Sequence, residues 1–197
     1  YALRKRWFKH EPLDTINYPK SGLKNHVIIV GGGRVGFRIA QVLKRLHVPM
    51  LIIELDQLRV ERAKNSEFTV IYGDASHEIV LEAAETASAR LLIITTPEVL
   101  IAQAIVEQAR KANAEIQVVA RAPGIEFLEE FKKLNISEVV IPEFEAGLEM
   151  ARKALVHLHI PAAKIQHYTE SLRQDLFSSL YSENEEDKIL EQLKDAE

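Results

Sequence analysis

From His26 onward, short runs of valine, isoleucine and leucine alternate with stretches whose apolar residues recur every three to four positions. Near-continuous apolar runs of strand length suit strands covered on both faces, and their alternation with helical patterns predicts a parallel sheet flanked by helices. The strands fall at 26–31, 49–54, 68–72, 89–95, 115–120 and 137–141. Six strands complete two mononucleotide-binding halves of a doubly wound α/β fold.

Between the strands, the pattern predicts a helix over 34–47 with Val35, Ile39, Val42, Leu43 and Leu46 on its inner face and Arg38, Lys44 and Arg45 in water; Pro49 marks its exit. After the fourth strand, Thr96 is suited to cap the next helix and Pro97 to occupy its first turn, while Thr95 places a hydroxyl at the carboxyl end of a central strand. Residues 143–160 form a helix with a seam of Phe144, Leu148, Ala151, Leu155 and Leu158, widened by Gly147, Met150 and Ala154. A helix apolar this far around needs a second surface, so it is expected to form a two-fold dimer interface. A further short amphipathic helix is expected within 161–180, and an acidic tail over 181–197.

The first strand runs directly into HVIIVGGGRVG, residues 26–36. Glycines at Gly31, Gly33 and Gly36 serve a tight turn, backbone approach to a pyrophosphate and close packing of helix on sheet, and Glu54 closes the next strand about 20 residues on. Phosphates are expected at the N-terminus of the helix from 34, where unpaired amides and roughly half a positive charge favour an anion. Arg34, inside the loop, is placed to reach a terminal phosphate. A carboxylate at Glu54 accepts from ribose hydroxyls and repels a 2′-phosphate, which favours NAD(H) or an adenine nucleotide, though Arg59 soon after weakens that preference. Gly73, Asp74, Ala75 and Ser76 form a polar turn after the third strand, where Asp74 meets either the adenine end of a nucleotide or its own backbone amides.

Composition narrows the function classes. With 197 residues, 47% of them hydrophobic, the chain buries one substantial core. No apolar run approaches the roughly 20 residues that span a bilayer. It has no cysteine, which excludes disulfides, thiolate metal sites and cysteine nucleophiles, and a net charge of −4, which disfavours nucleic acid as a partner. Charge is uneven: Arg4, Lys5, Arg6 and Lys9 surround Trp7 and Phe8, a pattern expected of a segment next to a membrane, whereas the tail is acidic. The sequence opens on Tyr1 rather than methionine, which predicts a piece of a longer polypeptide.

A nicotinamide-dependent dehydrogenase needs a substrate domain and an acid or base beside the nicotinamide. About fifty residues follow Pro142 and read as helix and tail, and none of the seven histidines is paired by spacing with a carboxylate or lysine. A soluble oxidoreductase or dehydrogenase fragment is thus the weaker reading, and no catalytic or metal-ligating residues are assigned.

Six pieces in order resemble the RCK or KTN domains that regulate potassium channels and transporters: HVIIVGGGRVG, IIELD at 52–56, YGDAS at 72–76, LLIITTP at 91–97, VVARA at 118–122 and VVIPEFEAGLEMARKAL at 139–155. The last piece is most similar to the cytoplasmic C-terminal domain of Kef-type monovalent cation:proton antiporters. The resemblance implies a Rossmann-like doubly wound six-stranded parallel sheet with a C-terminal dimerisation helix and short helical tail. It divides the chain into a juxtamembrane linker (1–25), a nucleotide-binding domain (26–142), a helical dimerisation segment (143–180) and the tail (181–197). It implies NAD(H), ATP, ADP or AMP held at Gly31, Gly32, Gly33, Arg34, Val35, Gly36, Glu54, Asp74, Ala75 and Thr95. It further implies a homodimer through 143–160, a membrane transport domain preceding Tyr1, and a place on the cytoplasmic face of the inner membrane. A potassium-channel or Trk-type subunit is the alternative within the same group.

Overall fold

A computed structural model describes residues 21–136 and 138–176, so the basic aromatic arm and the acidic tail lie outside the described residues. Six strands form one parallel sheet in the order β3-β2-β1-β4-β5-β6: β1 Val27–Val30, β2 Met50–Glu54, β3 Val70–Tyr72, β4 Leu91–Ile94, β5 Gln117–Arg121 and β6 Glu138–Val140. The order reverses direction after β1, as two crossover halves require. Every expected strand is present and most are shorter than expected, although β2 ends at Glu54 as expected and β5 runs one residue further, to Arg121.

The chain divides into two compact units, one taking the described residues up to Leu91 with Glu107–Ile116, the other Leu92–Val106 with the described residues from Gln117 onward. In the first unit, β1 and β2 are buried along their whole length, with Ile28, Ile29, Leu51 and Ile52 fully excluded from water. Helix α1 (Arg34–Arg45) returns the chain from β1 to β2, and α2 (Gln57–Asn65) from β2 to β3. Asp56 caps α2 by accepting from the Arg59 amide at 2.9 Å. Phe37 of α1 meets Phe68 edge-on at 5.3 Å between ring centres, and the Arg62 guanidinium of α2 lies 4.1 Å above Phe37. Such aromatic pairs contribute about 0.5–1.5 kcal/mol beyond their buried area. Helix α3 (Glu78–Ala83) follows β3, and His26, fully buried at the head of β1, bonds through Nε2 to the Ala84 carbonyl at 2.8 Å. His26 is a core histidine.

The inner face of α1 matches only part of the one its periodicity predicts, with Ile39 and Leu43 half-buried. Gly36, Phe37 and Ala40 are the buried residues, while Val35, Val42 and Leu46 are 39%, 54% and 67% exposed. The reason is steric: a Cβ on Gly36 runs into the Gly31 carbonyl oxygen, so this glycine lets the helix approach the strand closely, with Ala40 and Phe37 buried on the same side. The exit also differs in kind, since His47 takes a left-handed φ of 56° just after the helix, before Pro49 is reached.

The second unit is built on β4, β5 and β6 with α4 (Val99–Ala112, divided between the units), α5 (Leu128–Lys133) and α6 (Pro142–His157). Phe131, Leu92 and Ile94 anchor its core. Thr96 does not cap α4: the helix starts at Val99, its first amide bond runs from Ala102 to the Glu98 carbonyl, and Thr96 Oγ1 is buried without a hydrogen-bond partner. Pro97 accordingly precedes the first turn. A second helical run, α7 (162–176), folds back on α6 after Pro161. Ile165 is buried and Arg173 bonds Glu145 at 2.8 Å. Among the described residues no helix is long and apolar enough to cross a membrane, and no group of acidic and histidine side chains could hold a metal ion.

Candidate functional site

The ladder that orders the first unit also builds its loops. Beyond the paired strands, the Gly31 amide donates to the Ile53 carbonyl at 2.9 Å and the Gly73 amide to the Glu54 carbonyl at 3.0 Å. These two bonds carry the turns after β1, β2 and β3 to the same carboxyl edge, the edge where open α/β sheets bind ligands. Gly31 adopts a φ of 95°, open in practice only to glycine, and the chain reverses there into α1.

Gly33 stands at the N-cap of α1 and contributes no side-chain bond, and no acidic residue occupies the first helical turn. The first-turn amides thus lack the usual capping side chain, and Arg34 puts a cation where the helix dipole itself is positive. Both features run against the stability of an isolated helix and favour an anion at this end. A Cβ on Gly33 meets only the tip of Arg59, at 3.5 Å. Fold packing therefore does not require glycine here, in contrast to Gly36. Val35 is 39% exposed in the same turn.

Glu54 is 6% exposed and faces inward. Its Oε2 accepts from the Gly32 amide at 2.6 Å, and its Oε1 accepts from the amides of Leu55 and Asp56 at 2.8 and 2.9 Å. A carboxylate offers about four acceptor positions, so these bonds leave room for about one ribose hydroxyl. The Gly32 bond joins residues 22 apart in sequence and ties the glycine loop to the end of β2. This tie is absent from the sequence reading; the only signal for it is the acidic residue itself.

Asp74 closes a local turn. Its Oδ1 accepts from both the amide and the hydroxyl of Ser76, at 2.9 and 2.7 Å, and His77 Nε2 stands 4.0 Å from Oδ2. Ala75 beside it is 3% exposed. In the second unit, Thr95 is buried at the carboxyl end of β4.

Helix α6 buries only Leu148, while Met150, Val156 and Leu158 are 73%, 51% and 68% exposed. Between α6 and α7 lies a groove of about 400 Å³, lined by Leu148, Arg152, Val156, Ile165, Thr169 and Arg173 among others. Glu149 on its rim is held down at a pKa of about 2, chiefly by its hydrogen bonds from Arg152 at 2.6 and 2.7 Å.

A glycine loop between the first strand and first helix of a doubly wound parallel sheet, with a carboxylate closing the second strand, defines a Rossmann-type domain of the nucleotide-binding class. The chain belongs to the TrkA-N domain family, matched over residues 27–142. It is 30% identical over 170 residues to a putative K(+) efflux antiporter KefB of Alkalimonas amylolytica, covering 86% of this chain and 25% of that protein. Among solved structures it is similar to the Kef C-terminal domain of Shewanella denitrificans in AMP-bound form, with a TM-score of 0.67 at 26% identity over 80% of this chain and 96% of that one. It is also similar to the TrkA-N domain of the Escherichia coli inner membrane protein YbaL, with a TM-score of 0.61 at 30% identity over 70% of this chain and 98% of that one. The chain spans about a quarter of the length of the antiporter relatives it matches.

Proposed function

We propose that this chain is the nucleotide-sensing regulatory domain of a potassium or other monovalent cation:proton antiporter, working on the cytoplasmic face of the membrane and carrying out no chemistry of its own. The observation that carries the reading is the start of α1, which has no capping side chain, no acidic residue in its first turn, and a glycine at its N-cap that packing does not demand. Its ligand is an adenine nucleotide or NAD(H), with the phosphate on the amides of the Gly31–Gly36 loop and Arg34, and the ribose at Glu54. The AMP-bound state of the similar Shewanella Kef domain supports an adenine nucleotide there. The membrane domain precedes Tyr1, in keeping with the fraction of its antiporter relatives that the chain spans.

The output is movement. Two copies associate through the exposed apolar side of α6, and nucleotide favours one arrangement of the pair, which pulls on the connection to the transport domain. A coupling of about 1–3 kcal/mol suffices to change activity several-fold or more. Titrating the chain with NAD+, NADH, NADP+, ATP, ADP and AMP by calorimetry tests the sensing role, and binding by none of them contradicts it.

A further inference from the structure

We infer that Arg59 is a specificity-determining residue of this nucleotide site: its guanidinium, beside the Glu54 carboxylate that takes the ribose, meets the phosphate of the ligand and selects phosphorylated adenosine over adenosine. The inference rests on the nucleotide reading above and deepens it.

Three observations converge on Arg59. First, the carboxylate at the mouth of the loop is largely engaged, because Glu54 is 6% exposed and its oxygens hold the amides of Gly32, Leu55 and Asp56, which leaves it room for about one ribose hydroxyl. Second, the Arg59 guanidinium overhangs the loop. Its Nη1 lies 3.5 Å from where a Cβ of Gly33 would stand and 3.7 Å from Glu54 Oε2, with the side chain 55% exposed. At 3.7 Å the pair is an ion pair without a hydrogen bond, so the fork keeps its donors for another acceptor. Third, the base of the side chain is fixed, since the Arg59 amide is the one that caps to Asp56 at 2.9 Å. Glu54 and the α2 cap thus position a cation directly over the N-cap of α1. A phosphate oxygen seated on the α1 amides is then bonded from the other side by a planar guanidinium, the geometry that arginine serves better than lysine. Because Gly33 is the N-cap of α1, where the loop amides take the phosphate next to the ribose, the phosphate concerned is the 5′-phosphate.

Calorimetry with AMP, adenosine and adenosine 2′-monophosphate on the wild-type chain, Arg59→Gln and Arg59→Lys tests this. The expected result is tighter binding of AMP than adenosine by the wild type, a loss of AMP affinity of about tenfold in Arg59→Gln, unchanged adenosine affinity, and partial recovery in Arg59→Lys. Equal AMP affinity in Arg59→Gln overturns the inference, and so does a proportional loss of adenosine, which marks a structural role. A loss confined to the 2′-monophosphate overturns the 5′ assignment. If the wild type binds none of the three, this inference is overturned, whereas the nucleotide reading fails only when NAD+, NADH, NADP+, ATP and ADP also go unbound; failure of Arg59 alone leaves wild-type binding in place.

Discussion

Gly36→Ala is expected to destabilise the fold by an amount that two opposing effects decide. The new Cβ runs into the Gly31 carbonyl oxygen and stands 3.0 Å from the Gly31 carbonyl carbon and 3.2 Å from Ile29 Cγ2. The obstacle is backbone, so α1 must retreat from β1 or the loop must rebuild. Overpacking a well-packed core costs about 1–3 kcal/mol, and a rigid backbone partner places this substitution near the upper end. Alanine gains about 1 kcal/mol over glycine inside a helix, which offsets part of that cost. The net loss is about 2 kcal/mol, a fall in Tm of about 4–8 °C for a domain of this size. Gly33→Ala is the control. Its φ of −68° suits any residue and its only close neighbour is the flexible tip of Arg59, so stability should stay within about 0.5 kcal/mol of wild type while nucleotide affinity falls. Thermal and urea denaturation followed by circular dichroism measure both. A Gly36→Ala domain that melts at or above the wild-type temperature refutes the close approach of α1 to the loop.

Met150→Asp places a charge on a residue that is 73% exposed on α6, so it should yield monomers in light scattering with unchanged melting; a persistent dimer excludes this face as the contact. Leu148 is less suited to that purpose, because at 6% exposure it belongs to the packing of the α6–α7 hairpin. Arg152→Ala should raise the pKa of Glu149 from about 2 toward the ordinary carboxylate range, read by NMR titration. The sign follows from a folded pKa below the unfolded one: the ion pair supports α6 above the ordinary range and loses that support as pH falls toward 2. Thr96→Val should be neutral or stabilising by up to about 1 kcal/mol, since the buried hydroxyl has no partner; a loss of about 1 kcal/mol in denaturation would restore Thr96 as a helix cap.

The sheet was legible because β1 and β2 are covered on both faces, and such strands leave uninterrupted apolar runs. The inner face of α1 was not legible by the same rule. Hydropathy ranks Val35, Val42 and Leu46 above Gly36 and Ala40, yet close approach to the Gly31 turn demands a glycine at 36, and that sets which face, with Phe37 and Ala40, turns inward. The glycine loop could be read as a motif, whereas the bond from Gly32 to Glu54 depends on where β2 ends beside β1 in space. Asp74 lay between a ligand contact and a turn of its own, and the structure places Ser76 on its Oδ1. At Thr96 a hydroxyl before a proline fits a cap locally, while the start of α4 is set two residues later by the Glu98 carbonyl.

The central claim is that the glycine loop holds an adenine nucleotide, and calorimetric titration of the chain with AMP, ADP, ATP, NAD+ and NADH tests it most directly. The account predicts saturable binding of at least one of them at one site per chain, abolished by Gly33→Val in a domain that still folds. No binding by the wild type, or undiminished binding by Gly33→Val, would contradict it.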